Sequence, residues 1–168
     1  MTAMKGTLAA ALLSVPLAAH AIDGISVDLG KGDRHTSLVR VGVHWNYELV
    51  KFAPHDVHSY IEVSVAHWHT DRSGLYDTAI TPVFRYARSP RNGPYVEGAV
   101  GLHIISGTHL QENVSFSTRF QFGDHIGVGV RRGPYDVGVR LQHLSNAGLR
   151  NPNPGVNFLQ LRLGYELH

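Results

Sequence analysis

The chain has 168 residues, no cysteine and a formal net charge of +2. That length suits one domain. The missing thiols exclude a disulfide framework and any thiolate metal site, and the weak positive bias is no argument for a nucleic-acid partner.

The first segment, MTAMKGTLAAALLSVPLAAHA, has Lys5, an apolar run from Leu8 to Ala19, and alanines on either side of His20. Charge, apolar run and Ala-x-Ala site are the pattern of a secretory signal peptide. An uncleaved membrane anchor is the alternative, but the run is short and Pro16 breaks it. Residues 1–21 are therefore expected to be a cleaved leader and residues 22–168 a single outer-membrane β-barrel domain. No later run is long and apolar enough for a transmembrane helix.

From there the hydrophobic period is two. The predicted strands are Ile25–Leu29, Ser37–Trp45, His58–His69, Thr78–Ala87, Pro94–Ile105, Phe116–Val130, Tyr135–His143 and Asn157–Leu167, separated by glycine, proline, asparagine or charge. In the second, Val39, Val41 and Val43 alternate with Arg40 and His44. The third sets Ile61, Val63 and Val65 against Glu62, and the fourth Ile80, Phe84 and Tyr86 against Arg85. The fifth sets Val96, Val100, Leu102 and Ile104 against Glu97. The sixth carries Phe116, Phe120, Phe122, Ile126, Val128 and Val130 on one face, with Arg119 and Gln121 on the other. Arg140 and Gln142 lie on the polar face of the seventh. Gln160, Arg162 and Glu166 do so in the eighth, opposite Leu159, Leu161, Leu163 and Tyr165.

A soluble lipocalin-like barrel would bury the apolar face and wet the polar one. An eight-stranded transmembrane β-barrel inverts this, with lipid outside and a polar interior filled by side chains. Several predicted strands reach ten residues, enough to cross the hydrocarbon core at a tilt. Charges of both signs on the polar face (Arg85, Arg119, Arg140 and Arg162 against Glu62, Glu97 and Glu166) are suited to pairing in a narrow lumen. Tyr47, Trp68, Tyr86, Tyr95, Tyr135 and Tyr165 stand near predicted strand ends, where interfacial aromatics belong. The fold expected is therefore all-β, an eight-stranded antiparallel membrane barrel. An even strand number puts both termini on the periplasmic side and the last loop, Asn146 to Val156, outside the cell.

That loop joins the stretch with most chemistry. In the seventh strand His143 and Ser145 share parity with Val137, Val139 and Leu141, the lipid-facing set. A serine hydroxyl is a weak nucleophile until a base takes its proton, and His143 is two residues away on the same side. Asn157 shares parity with Leu159 and pairs back across the hairpin, where it can orient the imidazole. The SNAG turn offers the Asn146 side-chain amide and a backbone N–H near Gly148 to a developing oxyanion. His-x-Ser is a weak signal alone. Its placement on the lipid side, level with the outer leaflet, points to a substrate that is itself a lipid.

The segment LQHLSNAGLRNPNPGVNFLQL resembles the C-terminal hairpin of the PagL family of outer-membrane lipid A 3-O-deacylases. ITPVFRY, YVEGAVGLHIISGT and FQFGDHIGVGVR resemble the family's upstream strands. The resemblance implies an eight-stranded barrel with its active site on the outer surface. The implied reaction is hydrolysis of the ester-linked acyl chain at the 3-position of lipid A, without a cofactor. Residue by residue it implies Ser145 as nucleophile, His143 as general base, and Asn146 and Gly148 as oxyanion donors. The family's triad acid falls at Asn157. An amide there holds His143 without charge, which leaves an activity-impaired relative open, beside a non-enzymatic barrel that binds ligands through its loops. The expected partners are the outer membrane and the lipid A of lipopolysaccharide in its outer leaflet; a homodimer stays open.

His67 and His69 flank Trp68 at the top of the third strand. His-x-His spacing suits a metal, but no third ligand is evident and no metal is expected. Their extracellular place, like that of Arg72 and Arg150, suggests contact with lipid A phosphates, for which guanidinium is well shaped. Asp124, His125 and Gly127 mark a glycine-interrupted bend in the sixth strand.

Overall fold

The computed structural model describes residues 21–47, 57–70, 73–111 and 114–168. Apart from Ala21, the expected leader lies outside these residues, and so does Arg72. Ten strands are present among them: β1 (Gly24–Gly32), β2 (Ser37–Asn46), β3 (Val57–His69), β4 (Gly74–Tyr86), β5 (Asn92–Ile105), β6 (His109–Gln111), β7 (Val114–Ser115), β8 (Phe120–Arg132), β9 (Tyr135–Ser145) and β10 (Val156–Glu166). Eight of them close in the order β1-β10-β9-β8-β5-β4-β3-β2, and β6 and β7 form a separate small hairpin. Every neighbouring pair in the barrel is antiparallel. The ring closes where β1 meets β10, from Gly24↔Glu166 to Gly32↔Phe158.

Alternation dictates which side each residue takes. Val100, Ile104 and Ile126 are each more than 60% exposed, whereas Arg40, Glu62, Arg85, Glu97, Arg140 and Arg162 are buried. This polarity is inside out for a soluble protein and right for a barrel in lipid. The lumen is filled, as eight strands require. Arg85 reaches Glu97 at 2.8 Å and Asp136 at 2.7 Å, and Arg162 reaches Glu62 at 2.7 Å. Arg140 meets Glu97 at 2.6 Å and Glu62 at 3.3 Å. Glu166 instead works at the rim, with His44 at 2.9 Å and Arg131 at 2.5 Å.

Several expectations change. The sixth predicted strand starts at Phe120, so Arg119 lies outside the barrel, exposed, and Phe116 turns inward and is buried. Trp68 and Tyr95 are not interfacial. Both have inward parity, Trp68 with Ala66 and Tyr95 with Glu97. Tyr95 donates to Asp136 at 2.6 Å in the lumen. Trp68 packs on Phe158 and Phe116, at ring centroid distances of 5.2 and 6.4 Å. With Leu38, Ile105, Leu110, Leu144 and Val156 they form an apolar plug inside the end of the barrel where β9 ends and β10 begins. The β6–β7 hairpin folds over it, held by Ser73 Oγ donating to the Leu110 carbonyl at 2.7 Å. At the other end Tyr86, Tyr135 and Tyr165 are exposed, with Tyr135 edge-on to Tyr165 at 5.5 Å, as an aromatic belt requires.

Candidate active site

The β9–β10 hairpin brings the predicted residues together. Its register pairs His143 with Asn157 and Leu141 with Leu159. Across the other edge of β9, Asp124 faces His143 and Ile126 faces Leu141. Lys31 of β1 pairs with Leu159. Two rows therefore cross the outer wall. The upper row is Asp124, His143 and Asn157; the lower is Ile126, Leu141, Leu159 and Lys31. Together they line an open groove of about 560 Å³ that also includes Asp33. Polar chemistry sits above a floor whose Ile126, Leu141 and Leu159 are apolar, with Lys31 at its β1 edge, the arrangement needed where a headgroup meets its acyl chains.

His143 and Ser145 are half-buried and face outward, in step with Leu141 and Val139. The His143 Nδ1 lies 2.7 Å from Asn157 Oδ1. The orienting group is thus Asn157 on one side of the imidazole, not Asp124 on the other. Ser145 Oγ is met by the Ala147 N–H at 3.4 Å. No hydrogen bond joins it to His143 in this resting geometry; contacts of this kind commonly tighten only when substrate seats.

The SNAG turn differs from the expected oxyanion arrangement. Asn146 has inward parity with Gln142 and Leu144 and is buried. Its Nδ2 donates to Ser117 Oγ at 2.8 Å and to the Arg150 carbonyl at 2.7 Å, while its Oδ1 accepts from Gly148 N at 3.0 Å. Both donors assigned from the sequence are therefore already engaged. Asn146 acts as the scaffold of the turn, which closes from Leu149 N to the Asn146 carbonyl at 3.1 Å. Ala147 and Gly148 hold φ of 53° and 76°, the left-handed pair of a type I′ turn. The donor beside Ser145 Oγ is the Ala147 amide. Ser117, to which the sequence pattern assigns no role, accepts from Asn146 and donates to the Arg150 carbonyl at 2.8 Å. Only the packing of the segment around β7 and Phe116 over the barrel mouth brings it there.

Gly155 is a second positional requirement. Its φ is 60°, and a Cβ there would come within 2.7 Å of His143 Cε1. Gly155→Ala is expected to displace the imidazole and lower kcat about a hundredfold, since misplacements near 1 Å cost that much. The check is turnover of folded variant against wild type, with unchanged thermal mobility of the barrel on gels.

The other candidates separate. His67 and His69 lie on β3, four strands from β9 in either direction round the ring. Their rings are 6.3 Å apart, and His67 packs on Tyr76 at 4.9 Å. No group of three metal-ligating side chains exists among the described residues. Arg150 is exposed in the β9–β10 loop, at the same end as Ser145.

A family model described as lipid A 3-O-deacylase (PagL) matches residues 39–166. The lipid A deacylase PagL of Bordetella bronchiseptica is 30% identical over 155 residues, covering 85% of this chain and 83% of the relative. Its counterpart from Pseudomonas aeruginosa is 28% identical over 159 residues, covering 90% and 91%. A crystal structure of the outer membrane enzyme PagL superposes with a TM-score of 0.76 at 25% identity, covering 84% of this chain and 98% of that one.

Proposed function

The chain belongs to the PagL family of lipid A 3-O-deacylases, and from that premise we propose that it is an outer-membrane serine esterase that removes the ester-linked hydroxyacyl chain at the 3-position of lipid A. The observation that carries this reading is the outward-facing row in which His143 and Ser145 share the lipid side of β9, with Asn157 Oδ1 2.7 Å from His143 Nδ1. A soluble carrier has no use for such a row, and a lumenal enzyme would have it on the other parity.

Ser145 Oγ attacks the ester carbonyl while His143 Nε2 takes its proton. The tetrahedral oxyanion forms beside the Ala147 amide. On collapse His143 returns the proton to the departing sugar oxygen, leaving the acyl group on Ser145. Water, deprotonated by the same imidazole, then releases the fatty acid and restores the hydroxyl. The Ile126, Leu141 and Leu159 floor receives the acyl chain from the outer leaflet. Lys31 and Arg150 supply positive charge for the phosphates of the glycolipid. No step calls for a cofactor.

Mass spectrometry of lipid A from cells expressing the protein tests this. Wild type should remove one ester-linked hydroxyacyl chain, and Ser145→Ala should leave lipid A intact. An unchanged wild-type profile from folded, membrane-inserted protein would refute the assignment.

A further inference from the structure

Resting on the esterase reading of Ser145 and His143, we propose that Asp33 is a positioning residue of this site: it fixes the amide of Asn157 and supplies through it the negative charge that an acid at that position would bring directly. Asp33 is 124 residues from Asn157 in sequence. Closure of the barrel puts the turn after β1 against the start of β10. Asp33 N donates to the Asn157 carbonyl at 3.0 Å. Asp33 Oδ2 accepts from Asn157 Nδ2 at 3.0 Å and from Asn157 N at 3.3 Å.

The turn that presents this carboxylate is itself held. Gly32 N donates to the Thr36 carbonyl at 2.7 Å, and Thr36 N to the Asp33 carbonyl at 3.2 Å. The Arg34 guanidinium spans to the carbonyls of Gly155 at 2.7 Å and Pro154 at 3.4 Å. Arg34 and His35 hold φ of 56° and 57°, backbone that non-glycine residues keep only where their surroundings impose it.

The result is a choice of amide orientation. A side-chain amide has two nearly isosteric ends, and the end facing His143 decides which ring nitrogen carries the proton. A carboxylate only accepts, so Asn157 must turn Nδ2 toward Asp33. Its Oδ1 then faces His143 Nδ1, which must be the protonated nitrogen, and Nε2 keeps its lone pair for Ser145. The flipped amide would put the proton on Nε2 and leave no base. Asparagine in the acid position of a triad is slow for this reason. Here Asp33 removes the wrong orientation, and its charge polarises the amide when the imidazole becomes positive.

The test is a pair of backgrounds, assayed as hydroxyacyl release from lipid A micelles by the folded barrel. In the native background Asp33→Asn should lower kcat about 10- to 100-fold, with KM little changed, because Asn157 is freed to flip. In Asn157→Glu the introduced carboxylate holds His143 directly and faces Asp33 as a like charge. There Asp33→Asn should be neutral or raise kcat. A role confined to tying the turn would lower both enzymes alike. Equal losses in the two backgrounds, no loss in the native one, or an inactive Asn157→Glu enzyme would each overturn the proposal. Ser145→Ala run alongside keeps the questions apart. If it retains activity, the esterase reading fails; if it is dead while the Asp33 effects are equal, only the role of Asp33 fails.

Discussion

Combining Ser145→Ala with His143→Ala is expected to cost no more than either substitution alone. Each single change should lower kcat on the order of a millionfold. Independent contributions would multiply, but a base without its hydroxyl has nothing to deprotonate, and a hydroxyl without its base is unactivated. The rate left in all three variants should be the same, set by the groove and the Ala147 amide. Both side chains face outward from the wall of β9, so neither substitution opens a cavity in the lumen, and stability should move by about 0.5 kcal/mol or less. Rates of hydroxyacyl release from lipid A micelles, measured with equal amounts of folded barrel, decide the matter. The informative failure is a His143→Ala enzyme that stays active. Asp124 is the cross-strand neighbour of His143, and activity that then disappears with Asp124→Asn would move the base to that carboxylate.

The sequence carried the barrel because its alternation runs through every strand with the polarity reversed. It carried the outward row for the same reason: His143, Ser145 and Asn157 follow the parity of Leu141 and Leu159, and hairpin pairing did the rest. Residue type misleads where parity does not: Trp68 and Tyr95 suit an interfacial belt by type, yet each sits in step with inward neighbours. The apolar plug has no separate signal in the alternation, which predicts a polar lumen for the full height of the barrel. Its members from β2, β3, β9 and β10 are ordinary alternation positions that meet only at one end. Asp33 and Ser117 were out of reach for a different reason. Asp33 reaches Asn157 through the closing β1–β10 pair, and Ser117 reaches Asn146 through an irregular segment over the mouth. Neither approach has a periodic signal in the chain.

Arg140→Met should destabilise the barrel by about 3–5 kcal/mol, and adding Glu97→Gln should restore most of that loss. Arg140 is 1% exposed and hydrogen-bonds three groups at once, Glu97 Oε1 at 2.6 Å, Tyr60 OH at 2.8 Å and Glu62 Oε1 at 3.3 Å, with Asp28 Oδ2 a fourth, ionic partner at 3.7 Å. Methionine fills much of the same volume, so the loss reads charge and hydrogen bonding rather than a cavity. It leaves Glu97 and Glu62 with less compensation where water cannot reach them, and an unpaired buried charge is the costly case. Removing the Glu97 charge as well takes away the excess. Glutamine at that position still accepts from Arg85, whose Nε lies 3.1 Å from the Glu97 carboxylate. The pair should therefore be strongly non-additive. Urea unfolding of the barrel in detergent measures it; additive losses would mean that Arg140 acts mainly through Tyr60. The consequence reaches the outer wall. Arg140 and His143 are three residues apart on β9 and point to opposite sides of it. The charge network inside thus holds rigid the same strand that presents the imidazole to lipid outside. A destabilised Arg140→Met enzyme should lose activity with its fold on warming, while the double variant should keep both to a higher temperature.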